Sequence, residues 1–332
     1  MVNDYAGRTC LVTGASGFLG SYLVEQLVDR GARVRCLVRH SSNRQFLPIQ
    51  DIEFALGDVT DPRSLGAALA GVDVIFHAAG LIKTPHPQDY FQVNYLGTIN
   101  LLEACRRERG QLRRLIIVSS QAAAGPSSPG QPTIEARPGD PVTPYGKSKL
   151  LAEQAALAYR DRLPITIVRP PTIYGPRDRE SLLLFQVIAR GVRPMLAGPT
   201  EISVVHAADL AEGILLAAAH PAAVARTYFL AADEICSLDD LTVGIARALD
   251  RSARAIRLPD WAIRGAASLA DTARVATGVS MVFDRWKAEE LLSRYWACSN
   301  ALARSELGFS PRIALSDGLL ETARWYRTMG WL

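Results

Sequence analysis

Thr13-Gly14-Ala15-Ser16-Gly17-Phe18-Leu19-Gly20 is the stretch on which the reading of this chain turns. The apolar run before it, residues 9–13, stops at Gly14. Residues 18–30 follow with helical spacing: Leu19, Tyr22, Leu23 and Leu27 fall on one face, and Gly31 ends the helix, as a left-handed cap position prefers. Gly14 permits the tight turn, Gly17 lets backbone amides approach a pyrophosphate, and Gly20 lets the helix pack closely. Free N–H groups and the dipole at a helix N-terminus favour anions. A glycine triplet alone is weak evidence. With a strand before it and a helix after it, it reads as a dinucleotide-binding loop, with contacts expected from Gly14, Ser16, Gly17, Phe18 and Leu19.

Outward from this loop, strand and helix signals alternate to about residue 170. Strands are expected at 34–38, 51–55, 72–77, 115–119 and 165–168. Helices are expected at 62–70, 90–109 and 145–160. Continuous apolar strands alternating with helices argue for a parallel sheet covered on both faces. Beyond residue 170 glycine and proline become dense. A short strand at 203–206, a helix at 209–219 capped by Asp209, and a last sheet strand at 228–230 are expected. His206 is left open between a pocket role and packing. The final hundred residues read as mainly helical, ending at 315–329. Residues 1–170, with 205–232 returning to them, are expected to form the nucleotide-binding domain. Residues 171–204 and 233–332 are expected to cap its substrate side.

The chain has 332 residues, 48% of them apolar and 21% charged, which supports a sizeable core and argues against wholesale disorder. The net charge of +4 is spread among acids, with no basic run interleaved with aromatics, so nucleic acid is not an expected partner. The five cysteines form no C-x-x-C pair, and Cys10 and Cys36 lie in apolar strands. Reduced thiols, no metal site and a cytoplasmic location are expected. The first eight residues are polar, and no long uncharged apolar run marks a membrane span. Residues 261–283 are apolar-rich but interrupted by Arg264, Asp271 and Arg274, which reads as a lid or interface helix rather than membrane contact.

Leu37-Val38-Arg39-His40 ends the second strand. No acid stands between Val34 and Asp51 to bond an adenosine ribose hydroxyl, whereas Arg39, with Arg44 nearby, suits a 2′-phosphate. NADP(H) is therefore expected ahead of NAD(H). Asp58 is placed to accept from the adenine amino group and Val59 to cover the ring; a strand-end cap is the other reading of Asp58. Ala78, Ala79 and Gly80 let the backbone approach the cofactor. His77 is expected to order that loop.

Tyr145-Gly146-Lys147-Ser148-Lys149 opens a helix, and residues i and i+4 share a face. A free tyrosine ionises near pH 10, and a three-unit drop needs about 4 kcal/mol of differential stabilisation. The Lys149 ammonium together with a cationic nicotinamide is the expected source of it. Tyr145 then exchanges a proton with a substrate oxygen while hydride moves to or from a nicotinamide. Chance gives about one such Tyr/Lys spacing in eight chains of this composition, so the pair gains weight from its place after Ser119-Ser120. Ser120 is the expected third catalytic group and Ser119, also a cofactor contact, its competitor. Asn94 either holds a water or carbonyl beside Lys149 or serves the fold.

These segments together resemble the extended short-chain dehydrogenase/reductases, nearer the 3-beta-hydroxysteroid dehydrogenase and dihydroflavonol reductase side. The matching pieces are TGASGFLG at 13–20, GDVTD at 57–61, FHAAG at 76–80, VNYLGT at 93–98, VSS at 118–120, YGKSK at 145–149, RPPTIYGP at 169–176 and VHAADLAEG at 205–213. The resemblance implies an α/β fold: a Rossmann-type doubly wound parallel sheet with a smaller, mainly helical C-terminal substrate-capping region. It implies Ser120, Tyr145 and Lys149 as a triad, Lys149 on the nicotinamide ribose, Pro170 and Thr172 bordering the nicotinamide, and a homodimer through a helix pair.

Two reactions are compatible with it. One is ketone/alcohol interconversion on a mainly apolar small molecule, in keeping with the apolar stretch Ser181-Leu182-Leu183-Leu184-Phe185, which also reads as a buried helix face. The alternative is a nucleotide-sugar epimerase or dehydratase with tightly bound NAD. Against the alternative, residues 200–204 carry no Arg, and Gln121-Ala122 follow Ser120 where dehydratases have Asp-Glu. Arg177, Arg179 and Arg193 remain as its possible diphosphate ligands.

Overall fold

A computed structural model describes residues 5–108, 112–277 and 285–332. The chain runs through β1 (Thr9–Thr13), α1 (Phe18–Asp29), β2 (Arg33–Val38), β3 (Ile52–Leu56), α2 (Leu65–Leu69), β4 (Val74–His77), α3 (Pro87–Tyr90), α4 (Gly97–Arg107), β5 (Arg114–Val118), α5 (Gln121–Ala124), α6 (Pro144–Ala158) and β6 (Ile165–Arg169). It continues through β7 (Thr172–Tyr174), α7 (Leu182–Ala189), β8 (Val192–Leu196), β9 (Glu201–His206), α8 (Ala207–Ala219) and β10 (Thr227–Phe229). Last come β11 (Ile235–Cys236), α9 (Leu238–Ala248), β12 (Arg254–Leu258), α10 (Asp260–Thr277), α11 (Arg285–Leu292), β13 (Tyr295–Trp296), α12 (Ala301–Leu307) and α13 (Leu315–Thr328).

The main sheet has seven parallel strands in the order β10-β6-β5-β4-β1-β2-β3. Side chains alternate across a strand, and β1 shows what covers each face. Cys10 and Val12 pack among Leu23, Leu27, Leu210 and Ile214 of α1 and α8. Leu11 packs among Leu65, Leu101 and Ala156 of α2, α4 and α6. Two-sided burial is why these strands read as unbroken apolar runs. The strand order reverses between β1 and β4, so their carboxyl ends open the crevice where ligands of such sheets bind.

The C-terminal part is mainly helical but adds two small sheets: β7, β9, β11 and β13 together, and β8 with β12. The helix expected over 90–109 is not uniform. A π-helical segment, Phe91–Leu96, separates α3 from α4, and α4 ends at Arg107. The extra residue in that turn accompanies an inward, buried Asn94 whose bonds are local anchors (below). Likewise, the helix expected over 62–70 is a 3₁₀ turn, Pro62–Ser64, followed by α2.

His77, at the end of β4, is fixed on both sides. Thr13 Oγ1 lies 2.7 Å from Nδ1, and Thr98 Oγ1 lies 3.0 Å from Nε2. Thr98 Oγ1 donates to the Asn94 carbonyl and Thr13 Oγ1 accepts from Ala79 N–H, so Nε2 carries the proton and Nδ1 accepts. Burial holds the imidazole neutral and pushes its pKa from 6.5 down to about 3. Below pH 6.5 the unfolded chain binds a proton that the folded chain refuses, so stability falls with pH from 6.5 toward 3. We expect this group to cost about 3 kcal/mol between pH 6.5 and 4. Denaturant titrations of His77→Gln should show a correspondingly flatter acid limb; an unchanged slope would remove His77 from that account.

Candidate functional site

At the carboxyl end of β1, Gly14 has φ +71°, and a Cβ there would stand 2.6 Å from Ala79 N and 2.7 Å from Ala78 O. The loop after β4 therefore lies directly against Gly14. Gly20 faces the Gly14 carbonyl with no room for a side chain, so its close approach is to the loop itself rather than to the sheet. Gly17 is the N-cap of α1 and is exposed. No side chain caps the helix, and no acid lies in its first turn. Phe18 and Ser16 are half-buried beside it, and Leu19 is in the core. Uncapped N–H groups on an exposed glycine turn at a sheet switch point fit a dinucleotide pyrophosphate.

At the far side of β1, Arg39 is exposed and its Nη1 lies 3.8 Å from Asp58 Oδ2. Sequence spacing missed this neighbour: an acid absent from the loop after β2 arrives from the end of β3. Asp58 Oδ1 accepts from Thr60 N–H and from Thr60 Oγ1, so the residue also closes its own turn. Arg44 does not join Arg39; its guanidinium lies 4.4 Å from the Phe54 ring centroid. Val59 is buried, with its side chain against Gly97.

On the other side of the switch point, α6 begins with Thr143 as N-cap and Pro144 in its first turn. Tyr145 and Lys149 share its inner face. Ser120 caps α5 by accepting from Ala122 N–H at 3.1 Å, and its hydroxyl lies near enough to the Tyr145 phenol to favour the phenolate. The Tyr145 ring packs edge-on to Tyr90 at 5.8 Å. Ser119 points elsewhere: its Oγ is buried without a partner, as is Gln121 Nε2. Orphaned polar atoms beside Ser120 are what a site completed by a bound group leaves in its absence.

Lys149 Nζ donates to the Val118 carbonyl at 2.7 Å. A Cβ on Gly80 would stand 3.7 Å from Nζ and 3.3 Å from Asn94 Oδ1, so the end of β4 and the inner face of α6 meet at this glycine. Asn94 holds backbone groups of the chain that follows Gly80. Its Oδ1 accepts from Leu81 N–H at 2.7 Å, and its Nδ2 donates to Leu81 O and to Ser148 Oγ. The Pro170 carbonyl accepts from Gln121 N–H, and Thr172 is exposed at the start of β7.

The electrostatics differ from the sequence expectation. Burial pushes Tyr145 up to about 12, with the nearby Ser120 hydroxyl opposing, so Tyr145 is a protonated phenol at neutral pH. Burial also pushes Lys149 down to about 8, opposed by Glu153. Desolvation penalises both charged forms and is the largest influence on each; Ser120, not Lys149, is the group that opposes it at Tyr145.

Other candidates lie apart from this cluster. The cap of α8 is His206, whose Nδ1 accepts from Ala208 N–H, and not Asp209. Asp209 instead accepts from Arg312 and Ile313 N–H, tying α8 to the chain before α13. His206 is buried and packs on Tyr22 and Tyr174. In residues 181–185, Phe185 is buried while Leu183 is exposed. Trp261 and Leu269 of α10 are exposed, and residues 278–283 of the expected lid segment lie outside the described residues.

Comparison with known proteins gives four findings. A family model described as the NAD dependent epimerase/dehydratase family matches residues 10–231. The ceramide reductase of Caulobacter vibrioides is 35% identical, over 100% of this chain and 98% of that protein. A 4-hydroxy-2-methyl-3-oxo-4-farnesyl-3,4-dihydroquinoline-1-oxide ketoreductase of Stigmatella aurantiaca is 30% identical over 93% of each chain. Among solved structures, that of gox2253 superposes with a TM-score of 0.82 at 30% identity, over 98% of this chain and 100% of that one.

Proposed function

The chain belongs to the NAD dependent epimerase/dehydratase family, and from that membership we propose that it is an NADP(H)-preferring oxidoreductase interconverting a ketone and a secondary alcohol on a mainly apolar small molecule. The observation that carries the reading is the placement of Ser120 beside the Tyr145 phenol, with Lys149 one helical turn on and its Nζ close to Gly80, beside the crevice where Gly14 meets the loop after β4.

The residues that would hold the cofactor are Gly14 to Leu19 at the pyrophosphate, Arg39 and Asp58 at the adenosine, and Ser119, Lys149, Pro170 and Thr172 at the nicotinamide end. When bound, a reduced nicotinamide supplies hydride, two electrons and one hydrogen, to the carbonyl carbon. Ser120 holds the carbonyl oxygen, and Tyr145 donates the proton that turns it into a hydroxyl. A phenol held up to about 12 carries that proton at neutral pH. Both named relatives are called reductases, one of ceramide and one of a farnesylated ketone, which supports an apolar carbonyl substrate.

The nucleotide-sugar alternative needs a free arginine for the diphosphate. Arg177 is ion-paired with Glu25 at 2.8 Å and lies over Tyr22, Arg193 pairs with Asp239, and Arg179 lies over Trp331 at 4.6 Å. In β9, which ends at His206, the charged side chain ahead of that residue is Glu201, engaged with Gly130 N–H. A homodimer and a cytoplasmic location belong to the same proposal.

Thermal shift with the two cofactors tests the NADP preference. NADPH at 100 times its dissociation constant should raise the melting temperature by about 4 °C. NADH should raise it less, and Arg39→Ala should weaken NADPH about tenfold while leaving NADH unchanged. Equal responses to the two cofactors in the wild type would overturn the preference.

A further inference from the structure

One buried ion pair beside this cluster has no part in the chemistry above. Arg169, the last residue of β6, donates from Nε to Glu153 Oε1 at 2.9 Å and from Nη2 to Oε2 at 2.6 Å. Both side chains are almost wholly buried, and Arg169 Nη1 has no partner. Burying such a pair costs about as much as it returns, and apolar residues of similar volume often serve stability as well. Its position is informative. Glu153 lies one helical turn beyond Lys149 on the same face of α6, and Arg169 immediately precedes Pro170–Thr172.

Of the groups acting on Lys149, Tyr145 on its own helix is a neutral phenol and His77 from β4 a neutral imidazole. Arg169 from β6 is cationic. Glu153 is therefore the anion facing the ammonium among the described residues.

We infer that Glu153, anchored by Arg169, is a positioning residue for Lys149: its carboxylate keeps the buried ammonium charged, and its bridge fixes α6 against the Pro170–Thr172 segment. The inference rests on the proposed cofactor site and deepens it. It predicts that NADPH affinity depends on Glu153 through pH, although Glu153 lies in the shell behind the cofactor.

The test is a fluorescence titration of NADPH against wild type, Glu153→Gln and Glu153→Gln/Arg169→Met, from pH 6 to 10, with melting temperatures measured in parallel. Wild type should lose affinity above about pH 8, where Lys149 discharges. Both variants should lose it at lower pH, Glu153→Gln by the larger shift because it leaves the Arg169 cation unopposed; a shift of about one pH unit makes binding about fivefold weaker than wild type at pH 8 and unchanged at pH 6. The double variant, which removes the unpaired Arg169 cation that the single one leaves, should regain thermal stability lost by the single variant without regaining the wild-type pH curve. A purely structural pair would restore both. A folded variant with the wild-type pH curve overturns the inference, as does failure of both variants to fold, which assigns the pair to stability. Wild-type protein that binds no NADPH at any pH overturns the proposed function itself, a result distinct from either.

Discussion

Tyr145→Phe should reduce carbonyl turnover by about 10³-fold while NADPH binding stays within twofold of wild type. The substitution removes one oxygen. Its ring partner Tyr90 remains at edge-on packing distance, and the Ser120 hydroxyl keeps its bond from Ala122 N–H, so no buried group is stranded. The fold should change by no more than about 1 kcal/mol. What disappears is the proton donor for the carbonyl oxygen, needed in the transition state and not in the ground state, so the loss should fall on kcat rather than KM. Initial rates of NADPH oxidation with an apolar ketone, beside a fluorescence titration of the cofactor, separate the two quantities. A variant retaining a tenth or more of wild-type kcat would show that another group supplies the proton.

Lys149→Met should make the protein more stable and less functional at once. An unfolded lysine ionises near 10.5, whereas burial brings Lys149 down to about 8. Between those values the unfolded chain holds more protons than the folded one, so stability rises with pH through that window, and below pH 8 the full cost of the buried ammonium is carried. Methionine matches the length of the side chain without the charge. At pH 7 the variant should gain about 1 to 3 kcal/mol, less whatever the lost bond to the Val118 carbonyl contributed. Its advantage should shrink toward pH 10. NADPH should bind at least tenfold more weakly at pH 7, because the ammonium that meets the nicotinamide ribose in this account is gone. Urea titrations at pH 7 and 10 and the cofactor titration check both halves. A variant less stable than wild type at pH 7, with unaltered NADPH affinity, would mean that the ammonium is not buried at a cofactor site.

Such opposed effects follow from a fold whose outline is written locally and whose electrostatics are not. The glycine loop was legible because its constraints lie within eight residues: Gly14 needs a positive φ, and Gly20 must clear the Gly14 carbonyl. Tyr145 and Lys149 were legible because one helix carries both. The central main-sheet strands β1, β4, β5 and β6 showed themselves through apolar runs buried on two faces.

Long-range arrangements left weaker marks. Asp58 reaches Arg39 across a strand pair, Arg169 reaches Glu153 from a different element, and β7, β9, β11 and β13 join from four separate stretches. Asp209 has the spacing of a helix cap, yet its carboxylate is taken by Arg312 and Ile313, a hundred residues away, and His206 caps in its place. The direction of the Tyr145 displacement was also beyond the sequence, because the i, i+4 spacing gives no measure of the depth of burial that sets it.

The most direct test of the account is the mass and label position of the alcohol formed from a long-chain aliphatic ketone with NADPH deuterated at nicotinamide C4. Wild type should place one deuterium on the carbinol carbon, from one stereospecifically labelled form of NADPH only, and Tyr145→Phe should form almost none. No labelled alcohol from any apolar ketone, together with turnover of a sugar nucleotide by protein that retains NAD through purification, would contradict the assignment of the Ser120, Tyr145 and Lys149 cluster to carbonyl reduction.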